Sequence, residues 1–158
     1  METLPIAYEN GADMHAREIM LQASMVAGMA FTNVSLGIVH SMARTLGGMF
    51  HVAHGLADAI LLPYIIRYNS TDAKAKEVYD TFAKKVGAEN LYEAVEKLNK
   101  RLNIPSCLQE VIPDEVAFVE KLDEMAALAK ADGCTKTNPI IPELEEFKEL
   151  FMKAYRGE

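Results

Sequence analysis

Between residues 16 and 31 apolar side chains recur three and four positions apart, at Ile19, Met20, Ala23, Val26, Ala27, Ala30 and Phe31. Nowhere does the chain alternate apolar and polar residues over a length that would build a strand. A polypeptide patterned this way has to bury helix faces against other helices. Glycine and proline divide it into further helices. Gly47-Gly48 is expected to stop a helix over about 35–46, because paired glycines favour a turn. A short loop over 49–53 follows. Residues 55–68 are apolar almost all round and predict a helix enclosed by others. Two-faced segments then start at Ser70 or Thr71 and stop near Gly87. Another starts at Asn90, with Glu93 placed as in a capping box, and ends near Asn103 ahead of Pro105. A helix entered through Pro113, with Asp114 and Glu115 at its positive end, is expected to run to about Ala131. After a polar turn over 132–139, Pro142 and the glutamates at 143, 145 and 146 open the last one. The expected fold class is all-α, a single domain over 1–158 built as one bundle of six or seven helices.

The charge balance, 16 basic against 23 acidic groups for a net of −7, concentrates no positive face. Nucleic acid and an anionic membrane are therefore not expected as partners. The most apolar stretch, 59–66, is far shorter than the roughly 20 residues that cross a bilayer and contains Pro63. The N-terminus carries no basic segment followed by an apolar one, and the two cysteines, Cys107 and Cys134, are too few for a secreted scaffold. A cytoplasmic location is the expectation.

Of the four histidines, His40, His51 and His54 fall close together, across a helix, a glycine turn and the start of the next helix. Neutral imidazole is the commonest transition-metal ligand, so two of them could share one ion. Equally, they could be helix-end and loop histidines bonded to backbone or water. Asp58 lies four residues after His54, on one helix face, where a histidine and a carboxylate can chelate. It could instead bind a neighbouring polar group or stabilise the first turn of its helix through the dipole. Arg44 stands one turn beyond His40, placed to meet an anionic cofactor group or to form a plain ion pair. His15 has no evident partner. Gly47-Gly48 has neither the preceding strand nor the basic residue of a phosphate loop, and neither Ser41 nor Cys134 has a general base nearby in sequence.

Longer motifs carry more information. The run Ala27-Gly28-Met29-Ala30-Phe31-Thr32-Asn33-Val34-Ser35-Leu36-Gly37-Ile38-Val39-His40-Ser41-Met42-Ala43 is followed by Leu46-Gly47-Gly48 and His54-Gly55-Leu56-Ala57. Ala59-Ile60-Leu61-Leu62-Pro63, Arg67-Tyr68-Asn69 and, later, Asp132-Gly133-Cys134-Thr135-Lys136-Thr137-Asn138-Pro139 complete the set. In order and spacing these resemble the iron-containing (group III) alcohol dehydrogenases, over essentially the whole chain. The resemblance implies the helical C-terminal, dehydroquinate synthase-like domain of an enzyme that exchanges hydride between alcohols or aldehydes and NAD or NADP. It implies iron(II) or zinc held by one aspartate and three histidines, of which His40 and His54 match the last two. The other two ligands, and the nucleotide-binding domain, are expected upstream of residue 1.

The resemblance also marks departures. Arg44 stands where the family often has a histidine close to the reacting centre, and a guanidinium does not exchange protons near neutral pH. Ala53 replaces a common proline and Asp58 a common asparagine. Asp58 and His51 are the residues available to extend the metal set. The isolated chain is expected to be inactive, to need a separate nucleotide-binding chain for NAD or NADP, and to self-associate. The alternative is a non-enzymatic helical remnant that serves self-association or binds another protein.

Overall fold

The computed structural model describes residues 2–158. Among the described residues every regular element is helical, as expected, but the helices are more numerous than the sequence suggested. Two compact units are formed, one ending at Ser35 and the other running from Leu36 to Glu158.

In the first unit α1 (Thr3–Glu9), which the sequence pattern did not announce, packs on α2 (Met14–Val34). Asp13 caps α2 by accepting from the Ala16 N–H at 2.9 Å. The periodicity seen over 16–31 does produce this helix, yet its apolar side chains are not gathered into a core. Leu21 and Val34 are each 72% exposed and Met29 63%.

The second unit holds α3 (Ile38–Phe50), α4 (His54–Asn69), α5 (Ala73–Lys85), α6 (Leu91–Arg101), α7 (Glu115–Glu120), α8 (Leu122–Ala131) and α9 (Leu144–Arg156). Short 3-10 turns lie at Leu108–Glu110 and Gly133–Thr137. As its uniform apolarity predicted, α4 is central and packs on α3, α5, α6 and α9. Ile60, Leu61 and Ile65 of α4 are buried with Met42 and Leu46 of α3. Phe118 stacks on Tyr155 at 4.2 Å between ring centroids and on Phe50 at 5.7 Å. Among the described residues no single helix is long and apolar enough to cross a membrane.

Three boundaries differ from the sequence reading. Helix α3 runs through Gly47-Gly48 and stops instead at His51, whose φ of 57° is left-handed. Residues 70–71 belong to the turn after α4, and it is Asp72 that caps α5, accepting from the Ala75 N–H at 2.9 Å. The helix expected as one rod to Ala131 is broken at Lys121 into α7 and α8.

Candidate metal centre

His40 sits in the first turn of α3 and His54 opens α4. From His40 to Phe50 the helix climbs about 15 Å, and the four steps from Phe50 to His54 can return about 13 Å if extended. The chain does turn back. His51 adopts the left-handed conformation, and Val52 runs past α3 so closely that a Cβ on Gly47 would stand 3.4 Å from the Val52 carbonyl oxygen. Gly47 thus lies inside the helix with the returning chain in ordinary contact beside it, and does not end the helix.

This return brings two imidazoles together. His40 Nδ1 and His54 Nε2 lie 3.0 Å apart, with ring centroids at 5.1 Å. Two ring nitrogens this close need a proton or a cation between them, since two lone pairs facing each other repel. Asp58, one turn along α4, closes the triangle. Its Oδ2 is 3.4 Å from His40 Nδ1 and 3.3 Å from His54 Nε2. Among the described residues these three form the group of side chains arranged to hold a metal ion. His51 lies outside this group: it caps α3 and is exposed. His15 is exposed on α2.

The Asp58 side chain is only 22% exposed. Burial pushes its carboxyl above the ordinary range, although His40, His54 and Arg44 pull the other way. Its second oxygen, Oδ1, is buried with no hydrogen-bond partner. A buried carboxylate oxygen left unsatisfied costs on the order of 1–3 kcal/mol unless something positive meets it. The donor set of two imidazoles and a carboxylate therefore fits a divalent transition metal.

Arg44 takes up the ion pair that was one of its two expected roles. Its Nη1 donates to Asp132 Oδ2 at 2.7 Å, which holds the guanidinium still more firmly charged than usual. Asp132 was quoted only as part of a motif, and sequence reasoning gave it no role. It caps the 3-10 turn by accepting from the Cys134 N–H at 2.8 Å and accepts from Ser41 Oγ at 3.3 Å. Thr135 Oγ1 lies 2.9 Å from Ser41 Oγ, and Asn138 Oδ1 accepts from the Ile38 N–H at 3.3 Å. The turn after α8 thus holds the N-terminal half of α3, including the turn that presents His40. A groove of about 540 Å³ lies beside Arg44 and Asp132, bordered by Ser41, Met49 and Leu128. A larger cavity of about 670 Å³, lined by Tyr64, Asn99 and Pro105, includes none of the three metal donors.

Residues 1–155 match the Fe-containing alcohol dehydrogenase family, C-terminal. The chain is 40% identical over 154 residues to the NADPH-dependent butanol dehydrogenase of Clostridium saccharobutylicum, covering 92% of this chain and 39% of that protein. It is 36% identical over 184 residues to an aldehyde-alcohol dehydrogenase of Streptococcus pneumoniae, covering 99% of this chain and 21% of that protein. The structure of an iron-containing alcohol dehydrogenase from Thermococcus thioreducens superposes with a TM-score of 0.92 at 37% identity, over 99% of this chain and 41% of the other. The chain therefore spans well under half the length of each of these proteins. It belongs to the iron-containing alcohol dehydrogenase family, and its residues correspond to that family's C-terminal helical domain.

Proposed function

We propose that this chain supplies the metal-bearing half of an alcohol dehydrogenase that exchanges hydride between an alcohol or aldehyde and NAD or NADP. The observation that carries this reading is the 3.0 Å approach of His40 Nδ1 to His54 Nε2, made by a chain that doubles back to achieve it. Both histidines would hold the ion, iron(II) or zinc, as neutral imidazoles. A divalent ion at this place supplies Lewis acidity toward the substrate oxygen. Arg44, tied to Asp132 in an ion pair, stays charged and does not carry a proton. No parallel sheet or phosphate loop occurs among the described residues. The nicotinamide cofactor is therefore held by a nucleotide-binding module, in this polypeptide or another, and the 158 residues alone are expected to be inactive. Two free cysteines suit a cytoplasmic setting.

The test is reconstitution. The portion of the Clostridium saccharobutylicum butanol dehydrogenase that this chain does not match is mixed with it in the presence of iron(II). NADPH-linked aldehyde reduction is expected to appear only in the mixture and to vanish with His54→Ala. No gain in turnover on mixing would overturn the proposal.

A second reading rests on α2, whose Leu21, Met25, Met29 and Val34 are largely exposed. Apolar surface of this kind marks association. In this reading the chain is a self-associating or protein-binding helical module. A concentration-dependent dimer in sedimentation, lost in Leu21→Glu/Met25→Glu, is the result that supports it.

A further inference from the structure

We propose that Asp58 is itself a metal ligand, so that His40, His54 and Asp58 form a two-histidine, one-carboxylate set that holds one divalent transition-metal ion within these 158 residues. The inference deepens the function proposed above and rests on it for the identity of the two imidazoles. It differs in adding a carboxylate of α4 to the two histidines, so that this chain contributes three donors to the ion.

Distances carry the first part of the argument. The three donor atoms are separated by 3.0, 3.3 and 3.4 Å. A tetrahedral ion with bonds of about 2.0–2.1 Å spaces its ligands about 3.3–3.4 Å apart, and an octahedral one about 2.9–3.0 Å apart. The observed triangle falls across these two values. Hydrogen bonding accounts for it less well. An N–H points at one acceptor, whereas here each atom faces two others at nearly equal range, and both nitrogen–oxygen separations exceed the usual N–H···O distance. A single cation above the triangle satisfies all three donors together.

Charge carries the second part. Arg44, the nearest cation, is paired with Asp132 at 2.7 Å. Among the described residues no lysine or arginine reaches ion-pair distance of Asp58. The carboxylate is the least exposed of the three donors, at 22% against 30% for His40 and 49% for His54, and its Oδ1 is buried without a partner. A half-buried carboxylate whose Oδ2 faces two imidazoles and which no lysine or arginine pairs is short of positive charge, and a divalent ion at Oδ2 provides it. Histidine and carboxylate ligands suit iron(II) and zinc.

The test uses the full chain, stripped with a chelator and titrated with Zn²⁺ by calorimetry and with Co²⁺ by visible absorption. One ion per chain is expected. Mutating a residue that merely orients a ligand costs about 10–100-fold in affinity, so Asp58→Asn, which keeps the shape and removes the charge, is expected to weaken binding about 100-fold. It should also change the Co²⁺ spectrum, which reports the number and type of ligands. Asp58→Glu, which keeps the charge, should recover part of the affinity, and far-UV circular dichroism verifies that each variant folds. Unaltered affinity and spectrum in Asp58→Asn would overturn the inference and leave a two-histidine site intact. Failure of the unmutated chain to bind either ion would overturn it too, while the function proposed above would still stand or fall on the reconstituted turnover.

Discussion

Asn99 of α6 donates from its side-chain amide to the carbonyl oxygen of Ala59 in α4, at 2.6 Å. In an unbroken helix that oxygen would accept from the N–H of residue 63, which here is proline and has none. One helix thus repairs the hydrogen-bond gap in its neighbour, one residue past Asp58. Asn99→Ala is expected to cost about 1–3 kcal/mol, the penalty of leaving the acceptor unmade. In a Pro63→Ala background, where the helix supplies its own N–H, the same substitution should cost less. Urea unfolding of the four proteins decides this, and strictly additive effects would count against it.

Asp132 should make part of the fold acid-sensitive. Burial works to raise its pKa, but the Cys134 N–H and the Arg44 guanidinium prevail and hold it below the ordinary carboxylate range. A carboxyl whose pKa is depressed on folding contributes stability that is present above its unfolded value of about 3.9 and is lost as pH falls through the lower folded value. Urea midpoints should therefore drop below about pH 4, and Asp132→Asn should remove this contribution. Arg44→Ala should cost only about 0–1 kcal/mol, because the arginine side chain is 51% exposed and solvent screens the pair. A larger loss for Arg44→Ala than for Asp132→Asn would contradict this assignment.

Two glycines of the α3 region should respond to alanine in opposite directions. At Gly37 an added Cβ would stand 2.7 Å from Asn138 Oδ1. That amide is buried and fixed by bonds to Asn69, Ile38 and Ile140, so it has little room to yield. Gly37→Ala is expected to destabilise by about 1–3 kcal/mol, as overpacking does. At Gly48, inside α3, nothing lies within 4 Å of an added Cβ. Gly48→Ala should stabilise by about 0.5–1 kcal/mol through helix propensity. Thermal unfolding of the two variants gives the comparison, and shifts of the same sign would refute it.

Tyr155 is fully buried, and its hydroxyl donates to the Ile112 carbonyl at 2.9 Å. Tyr155→Phe keeps the stacking on Phe118 but strips a buried acceptor of its donor. We expect a loss of about 1–2 kcal/mol, read as a lower urea midpoint with an unchanged denaturant slope. A neutral substitution would mean that another group satisfies Ile112.

Much of this architecture was written locally in the chain. The three-and-four spacing marked α2, the all-round apolarity marked α4 as central, and Asn90 with Glu93 located the start of α6, where the Asn90 side chain accepts from the Glu93 N–H at 2.9 Å. His54 and Asp58 could be paired because one helical turn separates them. What stayed hidden depends on residues distant in sequence. The glycine pair looked like a stop because a single sequence does not show Val52 returning past Gly47. The partner of Arg44 lies 88 positions away, so the sequence offered an ion pair without naming Asp132. Asn99 carried no signal in the sequence, because the Ala59 carbonyl that it serves lies 40 positions away.

The turn that steadies His40 is supplied very late in the sequence: Ser41 meets Asp132 across 91 residues and Ile38 meets Asn138 across 100. During synthesis both histidines emerge from the ribosome long before the segment that fixes the first of them. Until Asp132 and Asn138 have been translated, the turn that presents His40 lacks the contacts that hold it in the folded chain.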